Sequence, residues 1–134
     1  MKYWLVKSEP YKYSWEDLLK DKWTYWDGVR NYQARNNLKE MKCGDLVLYY
    51  HSNEGKEIVG VSEVIKEHYQ DPTTDDERWV VVDIKPIKTL KKAVTLKTIK
   101  EDDRLQDIAL IKQSRLSVMP IKKKEYDIIL KLGK

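Results

Sequence analysis

The chain has 134 residues, 41% of them hydrophobic and 36% charged, with 26 Lys and Arg against 22 Asp and Glu for a net charge of +4. That length and balance describe one folded domain over residues 1–134 and exclude a disordered chain. No apolar run reaches membrane-spanning length, residues 1–7 are too short and polar for a signal peptide, and the lone Cys43 excludes an internal disulfide, which together point to a cytoplasmic protein.

Tyr3 to Lys7 reads as an opening strand that Pro10 ends. Ser14 followed by Asp17 is a capping-box pattern and predicts a short helix through Leu18 and Leu19. Asn31 is placed to cap a second helix, in which Ala34, Leu38 and Met41 share a face, with Gly44 as its C-terminal cap. Asp45 to Tyr50 and Ile58 to Lys66 read as a hairpin around the turn residues 51–55. Residues 71–77 read as a solvated loop, and Trp79 to Ile84 as a β-branched strand. A short helix at Thr95 to Ile99, a strand at Arg115 to Pro120 and a closing helix from Lys123 to Leu132, with Gly133 just beyond it, complete the order. That succession implies an α+β fold with a mostly antiparallel sheet flanked by helices.

The distribution of residue types carries the functional signal. Residues 1–84 hold 12 basic and 16 acidic side chains, whereas residues 85–134 hold 14 and 6, so a basic C-terminal part is available to phosphates or simply to solvent. There are five Trp, nine Tyr and no Phe, and eleven of these rings lie in the first 50 residues. Trp and Tyr carry a polar group, so they collect where apolar surface meets water or ligand. The run Trp26-Asp27-Gly28-Val29-Arg30-Asn31-Tyr32-Gln33-Ala34-Arg35-Asn36 packs flat rings and planar hydrogen-bonding groups around one glycine. Such a mixture suits a nucleobase, held by stacking on its face and by hydrogen bonds at its edge, and equally a polar loop that caps a helix.

Other chemistries find less support. Two His and one Cys at unrelated spacings form no metal-ligand pattern, and no glycine-rich phosphate loop appears, so neither a metal nor a cofactor is expected. No serine sits in a nucleophile elbow, and Cys43 reads as a small packing residue. His51 and Ser52 follow an aromatic strand and offer a donor, an acceptor and a hydroxyl to a pocket, or serve only to satisfy a turn. Arg115 beside Ser117 is open to a phosphate, a base or an acidic partner.

Tyr3-Trp4-Leu5-Val6-Lys7-Ser8-Glu9-Pro10, the 26–36 run, Tyr50-His51-Ser52, Ile58-Val59-Gly60 and Arg115-Leu116-Ser117-Val118 together resemble the EVE domain family, in order from residue 3 to about 130. The resemblance implies a PUA-like fold, a compact mixed or antiparallel β-barrel with flanking helices. It also implies a non-catalytic module that recognises a modified nucleobase in DNA or RNA. The family pattern carries over to Ser8, Trp26, Asn31, Tyr50, His51, Ser52, Arg115 and Ser117. Met119 and Tyr49 depart from the residues frequent in the family, which touches ligand preference.

On this reading Trp26, Tyr32 or Trp79 stacks on the base. Asn31, Ser8, Ser52 and His51 read its edge, while Arg30, Arg35, Arg115 and nearby lysines hold phosphates. The partner is a single-stranded or flipped nucleic acid, with no membrane involved. The module is expected to be a monomer, and without the N-terminal extension of the nuclear animal members it reads as bacterial in type. Two alternatives stay open: a metal-independent hydrolase of nucleic acid using His51, and a protein-interaction surface.

Overall fold

The computed structural model describes residues 1–134. Its first strand, β1 (Tyr3–Ser8), buries Trp4, Leu5 and Val6. α1 (Trp15–Asp21) opens with a reciprocal cap, in which Asp17 N–H donates to Ser14 Oγ at 3.0 Å and Ser14 N–H donates to Asp17 Oδ2 at 2.9 Å. After the two-residue β2 (Thr24–Tyr25), α2 (Tyr32–Glu40) starts at Asn31, whose Oδ1 accepts the Ala34 N–H at 2.9 Å. β3 (Leu46–His51) and β4 (Glu57–Gln70) form a hairpin, and β5 (Val80–Thr95) runs back along β4. α3 (Leu96–Glu101), a 3₁₀ turn at Asp103–Leu105 and α4 (Ala109–Lys112) lead to β6 (Val118–Ile121), and α5 (Lys123–Leu132) closes the chain.

The six strands make one sheet in the order β2-β5-β4-β3-β1-β6. β1 lies parallel to β3 and antiparallel to β6, and every other pairing is antiparallel. α2 packs against β6, β4 and β5, strands from both ends of the order, so the sheet curls around this helix. A cluster of 32 buried hydrophobic residues fills the interior. The mixed α+β expectation holds, but closure into a barrel does not: β2 and β6 are separate edges that do not pair.

Three local readings also change. β5 does not stop at Ile84 but continues through Pro86 to Thr95. β2 covers β5 only at Asp83 and Ile84, so no strand pairs with that side of β5 at Pro86, and an unpaired strand side tolerates a proline without its N–H. Gly44 does not cap α2, which ends at Met41 in extended geometry. With φ of +93°, Gly44 instead forms the turn into β3 and donates its N–H to Val64 O at 2.9 Å. Cys43 is exposed and free rather than packed.

α1 is seated on the sheet by one close approach. The Trp15 ring lies directly over Gly60 of β4, where any Cβ would fall far inside contact distance, and its Nε1–H donates to Thr89 Oγ1 of β5 at 2.8 Å. Gly60→Ala is therefore expected to destabilise the protein by roughly 1–3 kcal/mol through overpacking. Urea denaturation of the variant against the native chain measures this.

Candidate functional site

β1 and β3 are parallel and in register, so they end together, with Ser8 beside His51. Two backbone bonds extend this end. Ser52 N–H donates to Ser8 O at 2.9 Å, and Lys7 N–H donates to Ser117 O at 3.0 Å. The ends of β1 and β3, the segment before α2 and the connection from α4 to β6 thus meet around a cleft of about 660 Å³. Ser8, Trp26, Arg30, Ser52, Arg115 and Ser117, six of the residues expected from sequence, line it. Asp27 of the 26–36 run lines it as well, together with Lys7, Tyr13, Tyr25 and Ser114, which the sequence does not mark as site residues.

The polar groups of the cleft are held in defined states. Ser8 Oγ donates to Tyr13 O at 2.6 Å, leaving its lone pairs to accept. Lys7 Nζ donates to Ser114 O at 2.8 Å, and burial pulls its ammonium below the ordinary lysine value. Trp26 is anchored by its backbone N–H to Val82 O at 2.8 Å and stands edge-on to Tyr49, ring centroids 5.4 Å apart. The Trp26 residue is only 8% exposed, yet its indole N–H has no protein acceptor. Asp27, by contrast, is exposed and makes no ion pair. The cleft therefore combines aromatic faces with hydroxyl, indole and carboxylate groups at its wall and cations at its rim.

The loop carrying Trp26 to Arg30 is pinned by Asp71, which lies in the 71–77 segment that reads as a solvated loop in the sequence. Asp71 is fully buried. Its Oδ2 accepts Gly28 N–H at 3.1 Å and Arg30 Nη1 at 3.0 Å, while Oδ1 accepts the backbone N–H of Thr73 at 2.7 Å and the Thr73 hydroxyl. Burial pushes this carboxyl upward, but the bonds from Thr73, Gly28 and Arg30 outweigh burial and hold it below the ordinary carboxylate value. Gly28 takes a φ of +77°, which lets its N–H turn toward that carboxylate. The available signal was Asp71-Pro72-Thr73, in which an Asp two residues before a Thr N–H is an Asx-turn pattern.

The remaining expected residues lie elsewhere. Asn31 is occupied in capping α2 and borders a second groove beside the cleft, together with Arg115. Tyr32 and Trp79 stack on each other at 5.3 Å, with Arg35 over Tyr32 at 4.9 Å and Arg30 and Arg78 over Trp79 at 5.6 and 5.7 Å. This ladder faces its own cations and does not line the cleft. Tyr50 is buried behind the site, where burial raises its phenol above the ordinary value. His51 Nε2 accepts the Trp15 N–H at 3.0 Å, which ties the ring to the start of α1, and no serine hydroxyl bonds to it. No cluster of three or more His, Cys, Asp or Glu is arranged to hold a metal ion, and no helix is long and apolar enough to cross a membrane.

Two outcomes follow from these contacts. Asp71→Ala frees the Gly28 N–H and the Arg30 guanidinium, so a loss of about 1–3 kcal/mol is expected in urea denaturation, with amide shifts at residues 26–30. Burial lowers the His51 pKa below its ordinary 6.5, so the folded state holds the ring neutral while the unfolded chain protonates first. That contribution is present above the unfolded value and is lost as pH falls through the folded one. Thermal melts of His51→Gln, whose amide oxygen accepts the same N–H, are expected to vary less between about pH 7 and pH 5 than those of the native chain.

Comparison with known proteins gives a consistent set of relatives. A family model described as EVE domain matches residues 2–132. Thymocyte nuclear protein 1 of Mus musculus is 37% identical over 164 residues, spanning 97% of this chain and 73% of that protein. A protein of Agrobacterium tumefaciens superposes with a TM-score of 0.97 at 42% identity, covering 99% of this chain and 93% of that one. Human THYN1, solved in complex with 5-methylcytosine-containing DNA, superposes with a TM-score of 0.92 at 33% identity, covering 100% and 98%.

Proposed function

The chain belongs to the EVE domain family, and from that premise we propose that its cleft binds a modified nucleobase in single-stranded or flipped nucleic acid, without catalysis. The observation that carries this reading is the convergence of four sequence-distant segments, at residues 7–13, 24–30, 52 and 114–117, on one cleft. A base needs a flat face and an edge. Tyr13, Tyr25 and Trp26 supply rings, and the hydroxyls of Ser8, Ser52 and Ser117, the unpartnered Trp26 indole and Asp27 supply edge partners. Arg30 and Arg115 at the rim attract the phosphates. On this proposal Tyr32, Trp79 and Arg35, which lie outside the cleft, brace the start of α2 against the 71–79 loop rather than contact the base.

Because base stacking must be undone before a base can enter a cleft, single-stranded or already extruded targets are favoured by a few kcal/mol. 5-Methylcytosine, present in the DNA bound by human THYN1, is the first ligand to test. The module works as a monomer in the cytoplasm on this proposal, in keeping with its free, exposed Cys43.

The test is an amide NMR titration with short single strands, DNA and RNA, carrying cytosine or 5-methylcytosine. Shifts clustered at residues 7–8, 25–30, 52 and 114–117, for the modified strand only, are expected; shifts confined to the lysines at 122–124 for every strand overturn the proposal. Tyr25→Ala, on the exposed two-residue strand, is expected to weaken the modified strand by about 1–3 kcal/mol.

A further inference from the structure

A second depression of about 350 Å³ adjoins the cleft and shares Ser114 and Arg115 with it. Asn31 and Gln33 from the start of α2 form one bank, and Lys112 and Gln113 after α4 form the other. Its lining contains no carboxylate, whereas the cleft has Glu9 and Asp27. The donors are also uncommitted. Arg115 makes no ion pair or side-chain hydrogen bond, in contrast to Arg30, Arg78 and Arg104, each of which is bound to an aspartate. Gln33 and Gln113 are exposed, and their side-chain amides find no acceptor within the protein.

We propose that this groove holds the sugar–phosphate of the nucleotide next to the base in the cleft. The inference rests on the base-binding reading above and adds a direction to it, since the strand leaves the cleft past Arg115 and between α2 and the α4–β6 connection. A guanidinium matches two phosphate oxygens in a plane, and the amide N–H groups of Gln33 and Gln113 donate without carrying charge. An ammonium at Lys112, paired only with the exposed Asp107 at 3.4 Å, adds an ion-exchange contribution that fades with salt.

The experiment compares two ligands, 5-methyl-2′-deoxycytidine and a five-nucleotide DNA strand with a central 5-methylcytosine, by NMR titration. Three proteins are used: the native chain, the double variant Gln33→Glu with Gln113→Glu, and Lys131→Glu on α5, which changes net charge equally outside the groove. All three positions are exposed, and the amide spectra confirm that each variant is folded. The native chain is expected to bind the strand about tenfold or more tighter than the nucleoside. The double variant is expected to lose most of that gain while keeping nucleoside affinity, and Lys131→Glu to keep both within about twofold.

Strand affinity unchanged in the double variant, or reduced equally by Lys131→Glu, overturns the groove. Equal affinity of the native chain for strand and nucleoside overturns it too, and leaves the base-binding reading standing. If the native chain binds neither ligand, the base-binding reading fails and the groove fails with it.

Discussion

The parallel pairing of β1 with β3 is the constraint on which the rest of the molecule depends. In a sheet otherwise antiparallel, it makes two strands finish at the same end and turns that end into a place where loops collect. β1 is also bonded on its other side to β6, so the chain's first strand ties together segments more than 100 residues apart. Ser8, Ser52 and Ser117 are neighbours for that reason alone. Nothing in their local sequence brings them together.

What the sheet assembles, a buried carboxylate holds in shape. The stretch from Trp26 to Arg30 has no regular structure, so its backbone groups need partners outside it. Asp71 accepts one of them, the Gly28 N–H, holds the Arg30 guanidinium with the same oxygen, and gains its own satisfaction from Thr73. Beside it, the Tyr32–Trp79 stack with its arginines braces the start of α2 against the end of the 71–79 loop, where Arg78 also donates to the Tyr32 hydroxyl at 2.9 Å. Asp45 works in the same way at the opposite end of β3, accepting the Trp4 indole N–H at 3.0 Å together with the N–H groups of Lys2 and Lys42. A few buried acids thus do for the loops what ladder bonds do for the strands.

Features set by short-range chemistry were legible in the sequence. The Ser14–Asp17 box, the Asn31 cap and the helix from Lys123 to Leu132 each lie where neighbouring residues placed them, because caps and helical periodicity act over four residues or fewer. Half of the expected site residues also share one cleft, and all of these but Arg30 came from the family resemblance rather than from any pattern within one segment. Long-range effects were not legible. Asp71 looked like one acid among many in an acidic loop, since burial is a tertiary property. Tyr32 and Trp79 have the composition of a base-stacking face, and composition does not say that the two rings pack against each other with arginines beside them, outside the cleft. The extension of β5 past Pro86 depended on where β2 stops, two residues of pairing that no propensity encodes.

The long reach of β1 has a bearing on how the protein acquires its cleft during synthesis. β3, β4 and β5 are joined by hairpin-like neighbours and can pair as soon as each has been made, but β6 reaches β1 only after residue 118 has emerged. Contacts of such sequence separation close slowly, because the intervening chain must give up its freedom before the pairing rewards it. Ser114, Arg115 and Ser117 arrive with that last strand. A nascent chain therefore has a sheet before it has a cleft, and its last-formed region is the one that completes the wall facing the ligand.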